Sequence, residues 1–168
     1  MGPLQHLLRR SAAIGALLAS ACAYGFSGGG LPSHVRTVAV LPFSNETASP
    51  DLTREVTDAV REGLSKRLGL RDASEEKASA IARGSIVRYE VDVPVAYSAN
   101  PNQATATRRK LQIVVDVELY DQVQGKTIWQ KKSIIGEGEY SERFEAEGQK
   151  LAINRIVNEI IEGAQSQW

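Results

Sequence analysis

"LQIVVDVELY", Leu111 to Tyr120, decides the fold. Leu111, Ile113, Val115, Val117 and Leu119 fall on one side of an extended chain; Gln112, Asp116 and Glu118 fall on the other. A period of two in a run rich in branched side chains specifies a strand with one buried face. "DQVQG" follows as a short turn, and Lys126 to Ile135 makes the next strand. Strands joined this closely pair antiparallel. Upstream, Ile81 to Val95 gives another strand, in which Val87, Tyr89, Val91 and Val93 alternate with Arg88, Glu90 and Asp92. Between the two, residues 96–107 carry no charge and include Asn100-Pro101, which reads as a loop or a strand extension.

Further upstream, Val35 to Phe43 is a β-rich run. Val35, Thr37, Ala39, Leu41 and Phe43 lie on one face, Val38 and Val40 on the other. Apolar residues on both faces place it well inside a sheet or covered on both sides. Pro42 lacks a donor, so the strand stops or reaches an edge there. After the polar loop "SNETASP" a helix is expected, with Ser49 as N-cap, Pro50 at its first position, and Asp51 and Glu55 near its positive end. Leu52, Val56, Val60, Gly63 and Leu64 form its apolar stripe, and Gly69 ends it. A second helix is expected from about Ser141 past Ile161, with Ile153, Ile156, Val157, Ile160, Ile161 and Ala164 as its stripe. The order is β-α-β-β-β-α. Its simplest packing is an α+β two-layer sandwich: a mixed four-stranded sheet with two helices on one face.

The first 34 residues have a different character. Arg9 and Arg10 precede an uncharged apolar segment, Ser11 to Ala21, too short to span a bilayer. Ala19, Ser20 and Ala21 then lead into Cys22, the single cysteine. This resembles a bacterial lipobox, with Ala19 where most carry Leu. The resemblance implies cleavage before Cys22, a diacylglycerol on its sulfur and an acyl chain on its new amino group. Two or more acyl chains anchor stably where one does not. Ala23 follows; by the enterobacterial sorting rule it favours the outer membrane. "SGGGLPS", Ser27 to Ser33, has the composition of a tether. The expected division is a signal peptide at 1–21, an acylated end and tether at 22–34, and one domain at 35–168.

Cleavage would remove two basic residues and no acidic one. The remaining 147 of 168 residues would carry 18 basic against 20 acidic side chains. No overall basic field points to nucleic acid. With Cys22 acylated no thiol is left for a disulfide or a nucleophile. His34 is then the one histidine, too few for a Ser-His-Asp set away from it, and no cluster has zinc-ligand spacing. "GFSGGG" lacks the Lys-Ser/Thr ending and the preceding strand of a P-loop. Asp116 and Glu118 read as a solvated face rather than a catalytic pair. Tyr89, Tyr97, Tyr120 and Trp129 read as cross-strand packing. No enzymatic activity, metal or diffusible cofactor is expected; the acyl chains on Cys22 are the one modification.

Five cations remain as binding candidates. Arg108, Arg109 and Lys110 stand where the uncharged loop enters the Leu111 strand, and Lys131 and Lys132 lie in the next one. They suit either edge protection or an anionic phosphate ligand. On a strand, Arg109 points away from Arg108 and Lys110.

The chain from Cys22 to Ile161 resembles the lipopolysaccharide-assembly lipoprotein family, LptE. The likeness lies in "YGFSGGG", "LPSHVRTVAVLPFSNETASPDLTREVTDAV", "GSIVRYE", the Tyr97 loop, "TRRKLQIVVDVELYD" and "EGEYSERFEAEGQKLAINRIVNEII". It implies an outer-membrane lipoprotein facing the periplasm and plugging the lumen of the LptD barrel. Such a protein assists barrel assembly and binds lipopolysaccharide for delivery to the outer leaflet. The resemblance implies basic lipid-contacting residues near the loop between the second and third strands and near the approach to the last helix, and Arg108 and Arg109 are the nearest candidates. "VAVLPFSNET" before a helix also resembles the CsgG-related lipoproteins and activators of cell-wall synthases, which are interaction modules.

Overall fold

The computed structural model describes residues 30–97, 106–141 and 143–166. Cys22, the expected signal segment, residues 98–105 of the expected loop and Trp168 lie outside them, as does the side chain of Tyr97. The elements are β1 (Thr37–Val40), β2 (Ser44–Asn45), α1 (Asp51–Leu68), β3 (Arg71–Asp72), β4 (Ala80–Tyr97), β5 (Ala106–Asp121), β6 (Lys126–Tyr140) and α2 (Glu145–Ser166). The sheet runs β3-β1-β4-β5-β6, with β2 added beside β4. β1 lies parallel to β3 and β4, while β4, β5 and β6 are antiparallel neighbours. The expected mixed sheet and two helices are present. Among the described residues the strand count is six rather than four, because the chain lays down two-residue strands on either side of α1.

The core lies between the sheet and the helices. Leu111, Ile113, Val115, Val117 and Leu119 are buried, as the alternation requires. In register with Val115 stand Ile86 of β4 and Ile134 of β6, both buried as well. From above, α1 contributes Leu52, Val56, Val60 and Leu64; α2 contributes Ala152, Ile153, Ile156, Val157, Ile160, Ile161 and Ala164. Each such Leu or Ile contributes roughly 1.5–3 kcal/mol by leaving water. The helices meet where Gly63 faces Val157, and a Cβ at Gly63 would strike the valine side chain.

α2 lies close on β6, and glycine makes this possible. A Cβ on Gly138 would overlap the backbone carbonyl of Gly148 in α2, and one on Gly136 would overlap that of Ala152. In a strand, glycine marks a site where another backbone approaches closely.

Two local expectations change, and one strand departs from simple alternation. Ser49 does not cap α1: Pro50 holds the N-cap position, and no side chain caps it. The Ser49 carbonyl instead accepts from Asn45 Nδ2 at 2.8 Å, while Asn45 Oδ1 accepts from Thr47 N at 2.8 Å. The loop is therefore tied by Asn45. Gly69 does end α1, at φ 68°. α2 begins at Glu145 rather than near Ser141, because β6 continues to Tyr140. Finally, the Val87, Val91 and Val93 row is not core. The register shifts between Ile86 and Arg88, leaving Val87 as an extra residue, and shifts again between Glu90 and Val93. A bulge changes which residues face the core. Val87, Val91 and Val93 are left 39%, 42% and 37% exposed.

Candidate functional site

The helices cover one face of the sheet and leave the other open. By register, Arg108, Lys110, Gln112, Val114, Asp116 and Glu118 of β5 stand on the open face, opposite the parity of the buried row. Arg88 and Ile135 flank Val114, which they leave only 2% exposed. Exposed Ile135 and Val93 give this end of the face an apolar component beside its charges.

The five candidate cations divide among four places. Arg108 and Lys110 are on the open face, each against a carboxylate of β6. Arg108 Nη2 lies 2.9 Å from Glu139 Oε2, and Lys110 Nζ lies 2.9 Å from Glu137 Oε1. Gln112 Nε2 donates to the same Glu137 oxygen at 3.0 Å. The bonds from Lys110 and Gln112 hold the Glu137 carboxyl below the usual carboxylate range. Arg109 is half-buried on the helix side of β5, opposite Tyr140. Lys131 pairs with Glu159 of α2. Lys132 borders a shallow depression of about 310 Å³ with Arg83, Ser85, Asp116 and Glu118. The structure thus joins Arg108 to Lys110 and separates both from the other three.

Asp116 and Glu118 have structural partners. Asp116 Oδ1 accepts from Ser133 N at 2.7 Å, at a point where Ser133 takes φ 54°. Glu118 accepts from Thr127 and from Arg83, which together keep its carboxyl below the ordinary value against the effect of burial. Arg83 lies over the Tyr120 ring, 5.6 Å from its centre. Trp129 is buried in the core, and Tyr89 donates to Glu145 Oε1 at 3.2 Å, linking β4 to the start of α2. Burial and the Glu145 charge push the Tyr89 phenol up to about 12, so it stays a donor. Among the described residues no group of three His, Cys, Asp or Glu side chains is placed to hold a metal.

The sequence reading missed what His34 does. Its Nε2 lies 2.6 Å from Oδ2 of Asp121, whose side chain is 0% exposed. Asp121 Oδ1 also accepts from Val123 N and Gln124 N at 2.9 Å each. Burial alone would raise the Asp121 carboxyl. The Gln124 amide, the His34 ring and the Val123 amide outweigh it and hold the group low. With a depressed carboxyl, this stabilisation is complete at neutral pH and fades only as pH falls below the ordinary aspartate value near about 3.9. One residue thereby fastens the incoming chain to the β5–β6 turn. Partners 87 residues apart leave no local sequence signal.

The described residues form a two-layer α+β domain with helices on one face of its sheet and the other face open. The sequence model of the lipopolysaccharide-assembly family LptE matches residues 35–163, and the chain belongs to that family. No curated protein matches the chain. Among solved structures, the protein XCC0632 of Xanthomonas campestris is similar at TM-score 0.54 and 11% identity, over 80% of this chain and 85% of its own. The hypothetical protein CT253 of Chlamydia trachomatis gives 0.53 and 14%, over 78% and 96%. A variant of PelC from Paraburkholderia phytofirmans, solved as a dodecamer, gives 0.52 and 15%, over 84% and 95%. These likenesses establish the fold.

Proposed function

We propose that this chain is an outer-membrane lipoprotein, acylated at Cys22. In this reading it plugs the lumen of an LptD-type barrel, assists the barrel's assembly and binds lipopolysaccharide on its way to the outer leaflet. The family match over residues 35–163 carries the reading. The geometry supports it. A sheet with one open face and the terminal strands β3 and β6 offers side chains and unpaired backbone to a barrel wall. The open face mixes charged pairs with Val93 and Ile135, a composition suited to a partly polar lumen. No chemical step is assigned to the chain: its work is to bind and to position. The anchor raises the effective concentration of the domain beside a barrel in the same membrane. Among the described residues no helix is long and apolar enough to cross a membrane.

Cys22→Ser should remain unprocessed and take up no palmitate analogue in growing cells. Labelling of that variant at the wild-type level would remove the lipoprotein reading.

For lipopolysaccharide the working pair is Arg108 with Lys110. Both are already paired, so lipid A phosphates must displace Glu139 and Glu137. Exposed pairs of this kind contribute only about 0–1 kcal/mol, whereas a well-made contact between a cation and phosphate contributes about 1.5–3 kcal/mol. Exchange therefore favours the lipid. Arg108→Ala with Lys110→Ala should weaken lipopolysaccharide capture by the mature chain in neutral detergent by roughly tenfold to a hundredfold. The loss should shrink at high salt, where exposed charges are screened. Glu137→Gln with Glu139→Gln should tighten capture. Unchanged capture in both double variants, with the fold intact, would return these residues to ordinary surface charge.

A further inference from the structure

A second basic site lies at the opposite end of the strands, where the tether enters. Arg36 immediately precedes β1, and Arg71 opens β3 alongside it. Arg71 N donates to Arg36 O at 3.0 Å, and Thr37 pairs with Arg71 in the parallel ladder. Ser79 fixes the Arg36 backbone from the other side, its Oγ accepting from Arg36 N and Thr37 N at 3.0 Å each. Main-chain bonds thereby hold the Arg36 and Arg71 backbones close together on neighbouring strands. Together with Arg67 they line a cleft of about 420 Å³, closed on one side by Gly30 to Ser33.

Among the described residues the cleft is lined by three arginines and no carboxylate. Arg67 is spanned to Asn158 of α2. Arg36 and Arg71 have no ion pair among the described residues, in contrast to Arg83, Arg108, Lys110 and Lys131. The nearest acid in sequence, Asp72, points its carboxylate to Arg61, 3.6 Å away. The C-terminal end of α1 borders the cleft, and a helix C-terminus disfavours anions. Gly69 N and Leu70 N both close back on Leu64 O there.

Position supplies the ligand. Gly30 is eight residues beyond Cys22. A chain gains at most about 3.6 Å per residue, so the cleft is held within about 30 Å of an acylated Cys22. We propose that this cleft binds the phosphate of an anionic phospholipid in the leaflet that carries the acyl anchor. The tethered end of the domain is then fixed against the membrane surface. This rests on the acylation of Cys22. It is independent of the lipopolysaccharide site, which lies on the open face toward the other end of β5. Guanidinium forks match phosphate oxygens, and an anchored domain meets headgroups at high local concentration, so a weak site suffices.

The test uses the mature chain in a neutral detergent, titrated calorimetrically with short-chain phosphatidylglycerol, short-chain phosphatidylcholine and inorganic phosphate. Phosphatidylglycerol should bind at least tenfold more tightly than either of the others. Arg36→Gln with Arg71→Gln should lose at least tenfold of that affinity, with melting temperature and lipopolysaccharide capture unchanged. Equal binding by the double variant, or equal binding of phosphatidylcholine, would overturn the proposal. Inorganic phosphate binding as tightly as the lipid would reduce the cleft to a bare anion site and overturn the headgroup assignment. Free lipid reads the cleft whether or not Cys22 is modified. The mass of the N-terminal peptide separately reports acylation, so the two failures are distinguishable.

Discussion

Val115→Asp should unfold a large part of the domain's stability margin. Val115 is 0% exposed and sits between Ile86 and Ile134 at the centre of the sheet, beneath the helices. All three positions are apolar, so a carboxylate there meets no donor. It must be buried charged or held protonated against its ordinary value, and either state is costly. A loss of about 3–5 kcal/mol is expected, a large share of the 5–15 kcal/mol typical of a domain. The melting temperature should fall by roughly 10–20 °C. Val123→Asp, at a position 67% exposed on the β5–β6 turn, should leave it nearly unchanged. A Val115→Asp protein melting within about two degrees of wild type would mean that this row does not face the core.

Gly138→Ala should do comparable damage with a single methyl group. The new Cβ would overlap the Gly148 carbonyl, which is backbone and has no rotamer in which to escape. Either β6 or the first turns of α2 must move. Overpacking commonly costs about 1–3 kcal/mol, and the upper end is expected where the obstacle is main chain. Because α2 carries much of the core, the shift would also loosen Ile153 and Ile156 below it. Gly125→Ala provides the comparison. Gly125 has φ 66° with only the Tyr120 hydroxyl, 3.7 Å away, near its missing Cβ, so its cost is the milder one of backbone conformation. Thermal unfolding of the two variants side by side decides the matter. Equal melting temperatures would contradict the close seating of α2 on β6.

How much of this could be read from residues alone depends on how local the cause is. The Leu111 row and the two helical stripes are written in period two and in spacings of three and four, and the structure follows them. Gly69 announces its own left-handed turn. The bulge at Val87 is harder. Ala80, Ala82 and Ile86 form a core-facing row of even parity, but the louder odd row of Val87, Val91 and Val93 conceals it. Only pairing against β5 shows where the parity changes. Gly136 and Gly138 did carry a signal, since alternate glycines in a strand mark a close backbone. Which backbone approaches is settled by α2, ten and more residues away. His34 with Asp121, and Arg36 with Arg71, are products of topology. Nothing near any of them in sequence names its partner. The basic triplet was legible as a cluster whose middle member points away; its pairing with Glu137 and Glu139 needed the register of β6.

The central claim is assembly with a barrel. Its most direct measurement is affinity purification of the tagged mature chain from detergent-solubilised outer membranes, with the co-purifying polypeptides identified by mass spectrometry. The account predicts an LptD-type β-barrel as the principal partner, retained through washing in high salt and lost with Gly138→Ala, where the sandwich is disturbed. Recovery of a cell-wall synthase, or of a closed ring of this chain alone, with no barrel in either case, would contradict it.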